Sequence, residues 1–145
     1  LLTVSSVPRG VQTRWLSALS ALLRRRLKIH RTISVAFVSA RVMRRLNALY
    51  RGVDATTDVL SFTLSPPRSP ESSNAPLGEI IISLQDLRRQ ARMQGHSLTE
   101  EFQVLTIHGV LHVLGHEHDR PADARRMGEL EARLLRELRK TLAKH

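Results

Sequence analysis

Four histidines stand within the eleven-residue run His108-Gly109-Val110-Leu111-His112-Val113-Leu114-Gly115-His116-Glu117-His118, and three of them have the spacing of a metal clamp. Side chains four residues apart lie on one face of a helix, so His108 and His112 can converge on a single point. Gly115 can take the positive φ that ends a helix, which turns the chain back and presents His118 from the opposite side. A lone pair of histidines is more often a solvated helix end; a third one placed after a helix-ending glycine favours a metal. Three neutral imidazoles suit zinc and leave a fourth position for water, the arrangement of a catalytic rather than a structural site. The expectation is therefore one zinc ion on His108, His112 and His118, and hydrolytic chemistry. His116, one residue past the turn, is expected at the mouth of the site.

These side chains need a scaffold, and the hydrophobic periodicity supplies one. Gln12 to Leu27 carries Trp15, Leu16, Leu19, Leu22 and Leu23 at helical spacing and ends in Arg24, Arg25 and Arg26, where cations suit the helix dipole. Ile33 to Val38 reads as a strand, and Ser39 caps a following helix whose apolar stripe is Met43, Leu46, Leu49 and Tyr50. Val59 to Leu64 reads as a second strand, Ser65 to Pro76 as a proline- and serine-rich surface loop, and Leu77 to Ser83 as a strand buried inside the sheet. Ser83 with Asp86 forms a capping box for a helix that Gly95 stops, and Ser97 with Glu100 forms another for the helix bearing His108 and His112. Pro121 opens the last helix, with Met127, Leu130, Leu134, Leu138 and Leu142 as its buried stripe. Leu1 to Val7 is expected to add a further strand. The fold class is α+β: a small mixed sheet of about four strands packed with about five helices, in a single domain over 1–145.

At 145 residues the chain is long enough to bury a core without staples. It has no cysteine, so disulfides and thiolate zinc sites are excluded, histidines and carboxylates remain as ligands, and a reducing, cytoplasmic location is expected. No apolar run approaches the length that spans a bilayer, and no membrane partner is expected. The net charge of +10 is unevenly placed. Residues 1–53 hold 11 Lys and Arg with no acid, whereas 54–145 hold 12 basic and 13 acidic groups, giving +11 and −1. Such asymmetry points to a polyanion, and nucleic acid becomes the leading substrate class. An Arg-rich, acid-poor start also resembles an organelle leader, but the acid-free stretch continues through a strand and a second helix and is read as part of the domain.

Further segments stand in a telling order: Leu46-Asn47 leading to Tyr50-Arg51, then Thr57-Asp58-Val59-Leu60-Ser61-Phe62, Leu77-Gly78-Glu79-Ile80-Ile81-Ile82, and the run from His108 to His118. With these, over most of its length, the chain resembles the YbeY family of bacterial endoribonucleases and rRNA maturation factors. The resemblance implies the α+β fold, the three histidines as metal ligands, and a zinc-dependent RNase that prefers single strands. It also implies a role in 16S rRNA 3′-end maturation and ribosome quality control, with single-stranded RNA, 16S rRNA and the ribosome or small-subunit proteins as partners. Arg51 matches the arginine this family uses near the metal, and its planar fork can hold two phosphate oxygens and offset charge that develops during cleavage. Three departures from the family pattern stand out: His116-Glu117 replaces Tyr-Asp, Glu79 replaces an aspartate, and Thr63 replaces a proline.

The leading mechanism has the metal activating water while Arg51 binds the phosphate; activation of the substrate's own 2′-hydroxyl is the alternative route. The arginines expected to touch RNA are Arg24, Arg25, Arg26, Arg44 and Arg45. Two other readings compete. A zincin-like metalloprotease would place a general-base glutamate directly after the first histidine, where this chain has Gly109. A ribosome-associated RNA-binding protein would use a merely structural zinc, closed by His116, Glu117 or Asp119.

Overall fold

The computed structural model describes residues 1–65 and 74–144. Most of the expected loop between Ser65 and Pro76 thus lies outside the described residues. In chain order the elements are β1 (Leu2–Ser5), α1 (Trp15–Leu27), β2 (Ile33–Val38), α2 (Ala40–Arg51), β3 (Val59–Thr63), β4 (Gly78–Ser83), α3 (Leu84–Gln94), α4 (Leu98–Val113) and α5 (Pro121–Ala143). The four strands form one sheet in the order β1-β2-β4-β3, with β1–β2 and β2–β4 parallel and β3–β4 antiparallel. This is the mixed α+β architecture the sequence implied.

Period-two alternation sets the sheet's two faces. Ile33, Val35 and Phe37 of β2 and Ile80 and Ile82 of β4 are buried, while Ser34, Ala36, Glu79 and Ile81 between them are only half-buried. The buried set joins α1, α4 and α5 in the core, where Trp15 and Phe37 each meet Phe102 of α4 edge to face at 4.8 and 5.0 Å. Gly78 lets β3 and α4 close on the start of β4: a Cβ there would stand 2.3 Å from the Phe62 carbonyl oxygen and 2.7 Å from Val113.

Three element expectations shift. Helix α1 begins at Trp15 rather than Gln12, whose carbonyl accepts the Trp15 indole N–H at 2.8 Å. Strand β3 ends at Thr63, leaving Leu64 exposed. The stripe expected on α2 is also wrong in part. The helix buries Met43 and Asn47, while Leu49 is 73% and Tyr50 60% exposed. At about 100° per residue Leu49 points well away from Met43, whereas Tyr50 shares its side but sits at the helix end, against the edge strand.

Candidate metal centre

Helix α4 starts where Ser97 accepts the Glu100 N–H at 3.1 Å, and it runs through both helical histidines. Its end is closed by the Gly115 N–H on the His112 carbonyl and the His116 N–H on the Leu111 carbonyl, both at 2.9 Å. Gly115 takes φ +96°, the left-handed turn the sequence called for, and the chain returns with His118. The ring nitrogens of His108, His112 and His118 lie within 4.8 Å of one another. The Nε2 atoms of His108 and His112 are 3.0 Å apart, close to the roughly 3.3 Å that two ligands of one tetrahedral zinc would adopt.

The other nitrogen of His108 is spoken for. Glu131 of α5 places Oε1 2.7 Å from His108 Nδ1, so the carboxylate accepts the Nδ1 proton and leaves the Nε2 lone pair pointing at the cluster. His112 has its pKa lowered by burial and by the charges of His108 and His118, against upward pulls from the His116 backbone and Glu117. That direction favours the neutral form that a cation needs. Among the described residues no fourth side chain joins this group. The donor set therefore fits a zinc ion with an open position.

The three histidines form one wall of a cavity of about 640 Å³, a size usual for ligand sites. The same cavity is lined by Asn47 and Arg51 of α2 and by residues of the edge strand β3. Arg51 lies in the last turn of α2, which Gly52 ends at φ +70°, and its Nη2 donates to the Ser61 carbonyl at 3.3 Å. Thr57, Asp58 and Ser61 also line the cavity. The arrangement puts three histidines that could hold a metal ion and a guanidinium fork in the lining of one opening.

Other expected residues lie elsewhere. His116 does not line this cavity: its backbone N–H closes the helix end, and it lines a neighbouring cleft with Gly115, Asp123, Arg126 and Glu117, the last shared with the cavity. Glu79 projects to the opposite sheet face from Ile80 and does not line the cavity. Arg24, Arg25 and Arg26 end α1, with Arg26 paired to Glu137 at 2.8 Å, and Arg44 pairs with Asp54 at 2.8 Å. These, and Arg45, are exposed and outside the cavity. Glu117 and Asp119 line it without joining the histidine group.

Gly109 bears on the protease reading. A Cβ at this position would meet Ile80 at 2.9 Å, so the residue after the first histidine faces the sheet and not the cavity. A general-base glutamate has no room there. Two contacts escaped the sequence reading. Glu131 falls at the spacing of the stripe Met127, Leu134 and Leu138, and a charge on an apolar face is the signal that could have found it. Asn47 is buried and donates Nδ2 to the Ala55 carbonyl at 2.9 Å, which pins the chain leading into β3.

A family model described as Endoribonuclease YbeY matches residues 6–139. Proteins named Endoribonuclease YbeY include one from Anaeromyxobacter sp. (strain Fw109-5), 44% identical over 131 residues, which are 90% of this chain and 65% of the relative. The Myxococcus xanthus (strain DK1622) protein is 44% identical over 105 residues, 72% of this chain and 36% of the relative. That of Caldanaerobacter subterraneus subsp. tengcongensis is 36% identical over 115 residues, 73% of both. The chain thus spans about a third to two thirds of the length of the first two relatives. In fold it is similar to the solution structure of TM1509 from Thermotoga maritima, with a TM-score of 0.66 and 24% identity over 99% of this chain and 93% of that one.

Proposed function

Because the chain belongs to the YbeY family, we propose that it is a metal-dependent, single-strand-specific endoribonuclease acting in 16S rRNA 3′-end maturation and ribosome quality control in the cytoplasm. The observation that carries the reading is one cavity lined by three convergent histidines and by Arg51.

His108, His112 and His118 are the residues that would hold one zinc, with Glu131 keeping His108 in its ligating tautomer. When bound, the zinc supplies a Lewis acid that acidifies water and draws charge from a phosphoryl oxygen. Arg51 holds the scissile phosphate in the cavity and meets the charge that builds as the phosphorus is attacked. β3 is the edge strand and lines the same cavity, so the RNA strand is read as passing along it.

The test is cleavage of a single-stranded RNA by the zinc-loaded chain, beside the same RNA annealed to its complement. Cutting of the single strand alone, lost on chelation and restored by zinc, is expected. No cutting of either form overturns the reading. The product ends identify the nucleophile: a 2′,3′-cyclic phosphate marks the 2′-hydroxyl, a linear phosphate marks water. Arg51→Lys keeps the charge but loses the bidentate fork, so it should stay folded and zinc-loaded while cleaving more slowly by about 2 to 4 kcal/mol in activation free energy. Single-turnover rates, with zinc content and melting temperature on the same sample, check this.

A further inference from the structure

The chain has five aromatic residues. Trp15, Phe37 and Phe102 are buried together in the core. The remaining two, Tyr50 and Phe62, meet each other, with ring centroids 5.1 Å apart and planes at 70°. Core packing explains the first three but not Tyr50, which is 60% exposed although large aromatic rings gain most from leaving water. Leu49 and Val53, on either side of it in sequence, are exposed as well. Leu49 and Tyr50 belong to a helix that also carries Arg41, Arg44, Arg45 and Arg51, and Val53 follows just past its end.

Its place in the fold is specific. Tyr50 immediately precedes Arg51, and Phe62 stands between Ser61 and Thr63; Arg51, Ser61 and Thr63 all line the cavity of the three histidines. The bond from Arg51 Nη2 to the Ser61 carbonyl ties the helix end to the edge strand at this rim. Neither ring lines the cavity: Phe62 stands opposite Glu79 in the β3–β4 register and by strand alternation projects to the other sheet face from Ser61 and Thr63, so the pair sits around the edge strand from the cavity, with Tyr50 next along the chain to Arg51 and Phe62 propping a ring that stays largely in solvent.

We propose that Tyr50, supported by Phe62, is a stacking platform for an unpaired base of the RNA strand whose phosphate Arg51 holds. The proposal rests on the endoribonuclease reading and deepens it. A nucleotide offers a phosphate and a flat base, and a guanidinium and an aromatic ring on adjacent residues meet these two halves. Every base has a π-face, so the platform tolerates any sequence. A paired base in a duplex is already stacked on its neighbours and cannot reach the ring, so the platform selects single strands.

The experiment measures kcat and KM for a zinc-loaded parent, Tyr50→Phe and Tyr50→Leu on a short single-stranded RNA, with melting temperature and zinc content recorded. The same RNA is then made with one base at a time removed. Tyr50→Leu is expected to raise KM roughly 5- to 150-fold and Tyr50→Phe to change it by less than about twofold, since stacking needs the ring and not the hydroxyl. Removing the stacked base should raise the parent's KM similarly and add little in Tyr50→Leu, because the two changes delete one contact. A folded, zinc-loaded Tyr50→Leu with the parent's KM overturns the proposal and assigns the patch to another partner, such as a protein. So does a parent for which no single base removal raises KM, a result that needs no variant to fold. A parent that cuts no RNA removes the endoribonuclease reading itself, which separates the two failures.

Discussion

Glu131 and His108 meet 23 positions apart in sequence, and at the scale of single residues that contact separates what the sequence discloses from what only folding does. The three ligand candidates are legible because their spacing is local: one helical turn, then a glycine that must take positive φ. Substituting His112 with alanine is expected to abolish stoichiometric zinc binding, read by metal analysis of the purified protein; unchanged stoichiometry would remove the assignment. Glu131 carries no such local mark, since its role depends on how α5 docks on α4. Glu131→Ala should weaken zinc affinity by about 10- to 100-fold while the fold persists, the usual effect of losing a carboxylate behind a ligating histidine. Competition against a chromogenic chelator measures it. An unaltered affinity would leave Glu131 as an ordinary surface partner.

Among the elements, two glycines inside helices have opposite meanings that sequence alone does not separate. Gly109 of α4 packs on Ile80, a fully buried β-branched side chain with little freedom to retreat from a Cβ at 2.9 Å. Gly128 of α5 is exposed, with nothing within 4 Å of an added Cβ. Gly109→Ala should therefore destabilise by about 1 to 3 kcal/mol, the range for overpacking a core. Gly128→Ala should stabilise by up to about 1 kcal/mol through helix propensity alone. Denaturant midpoints decide both, and equal signs would contradict the packing argument. The same dependence on neighbours explains the partial failure on α2. Its periodicity marked Leu49 and Tyr50 as apolar helix positions, but burial is fixed by what the sheet covers, and the sheet stops at β3. Strands and capped helices were more legible, since Ser39, Ser83 and Ser97 announce their helices through short-range bonds.

Across the whole molecule, the excess positive charge of residues 1–53 is not segregated into a lobe of its own. Strands β1 and β2 from the basic part share one sheet with β3 and β4 from the balanced part, Arg26 of α1 pairs with Glu137 of α5, and Arg44 pairs with Asp54 just past α2. The sequence shows the sign of the field but not which cations already have partners. Exposed ion pairs are weak and exchange readily for phosphate, yet each exchange forfeits the existing contact. Affinity for single-stranded RNA should thus fall steeply with salt, by about 0.7 in the log–log slope for each phosphate neutralised. Arg45→Gln, which breaks no ion pair among the described residues, should reduce that slope and weaken binding more than Arg44→Gln does. Fluorescence anisotropy across a salt series, on zinc-loaded parent and both variants, reads slope and affinity together. A flat slope would remove the electrostatic surface from the account, and a larger loss at Arg44 would mean that its pair with Asp54 presents the guanidinium to RNA rather than withholding it.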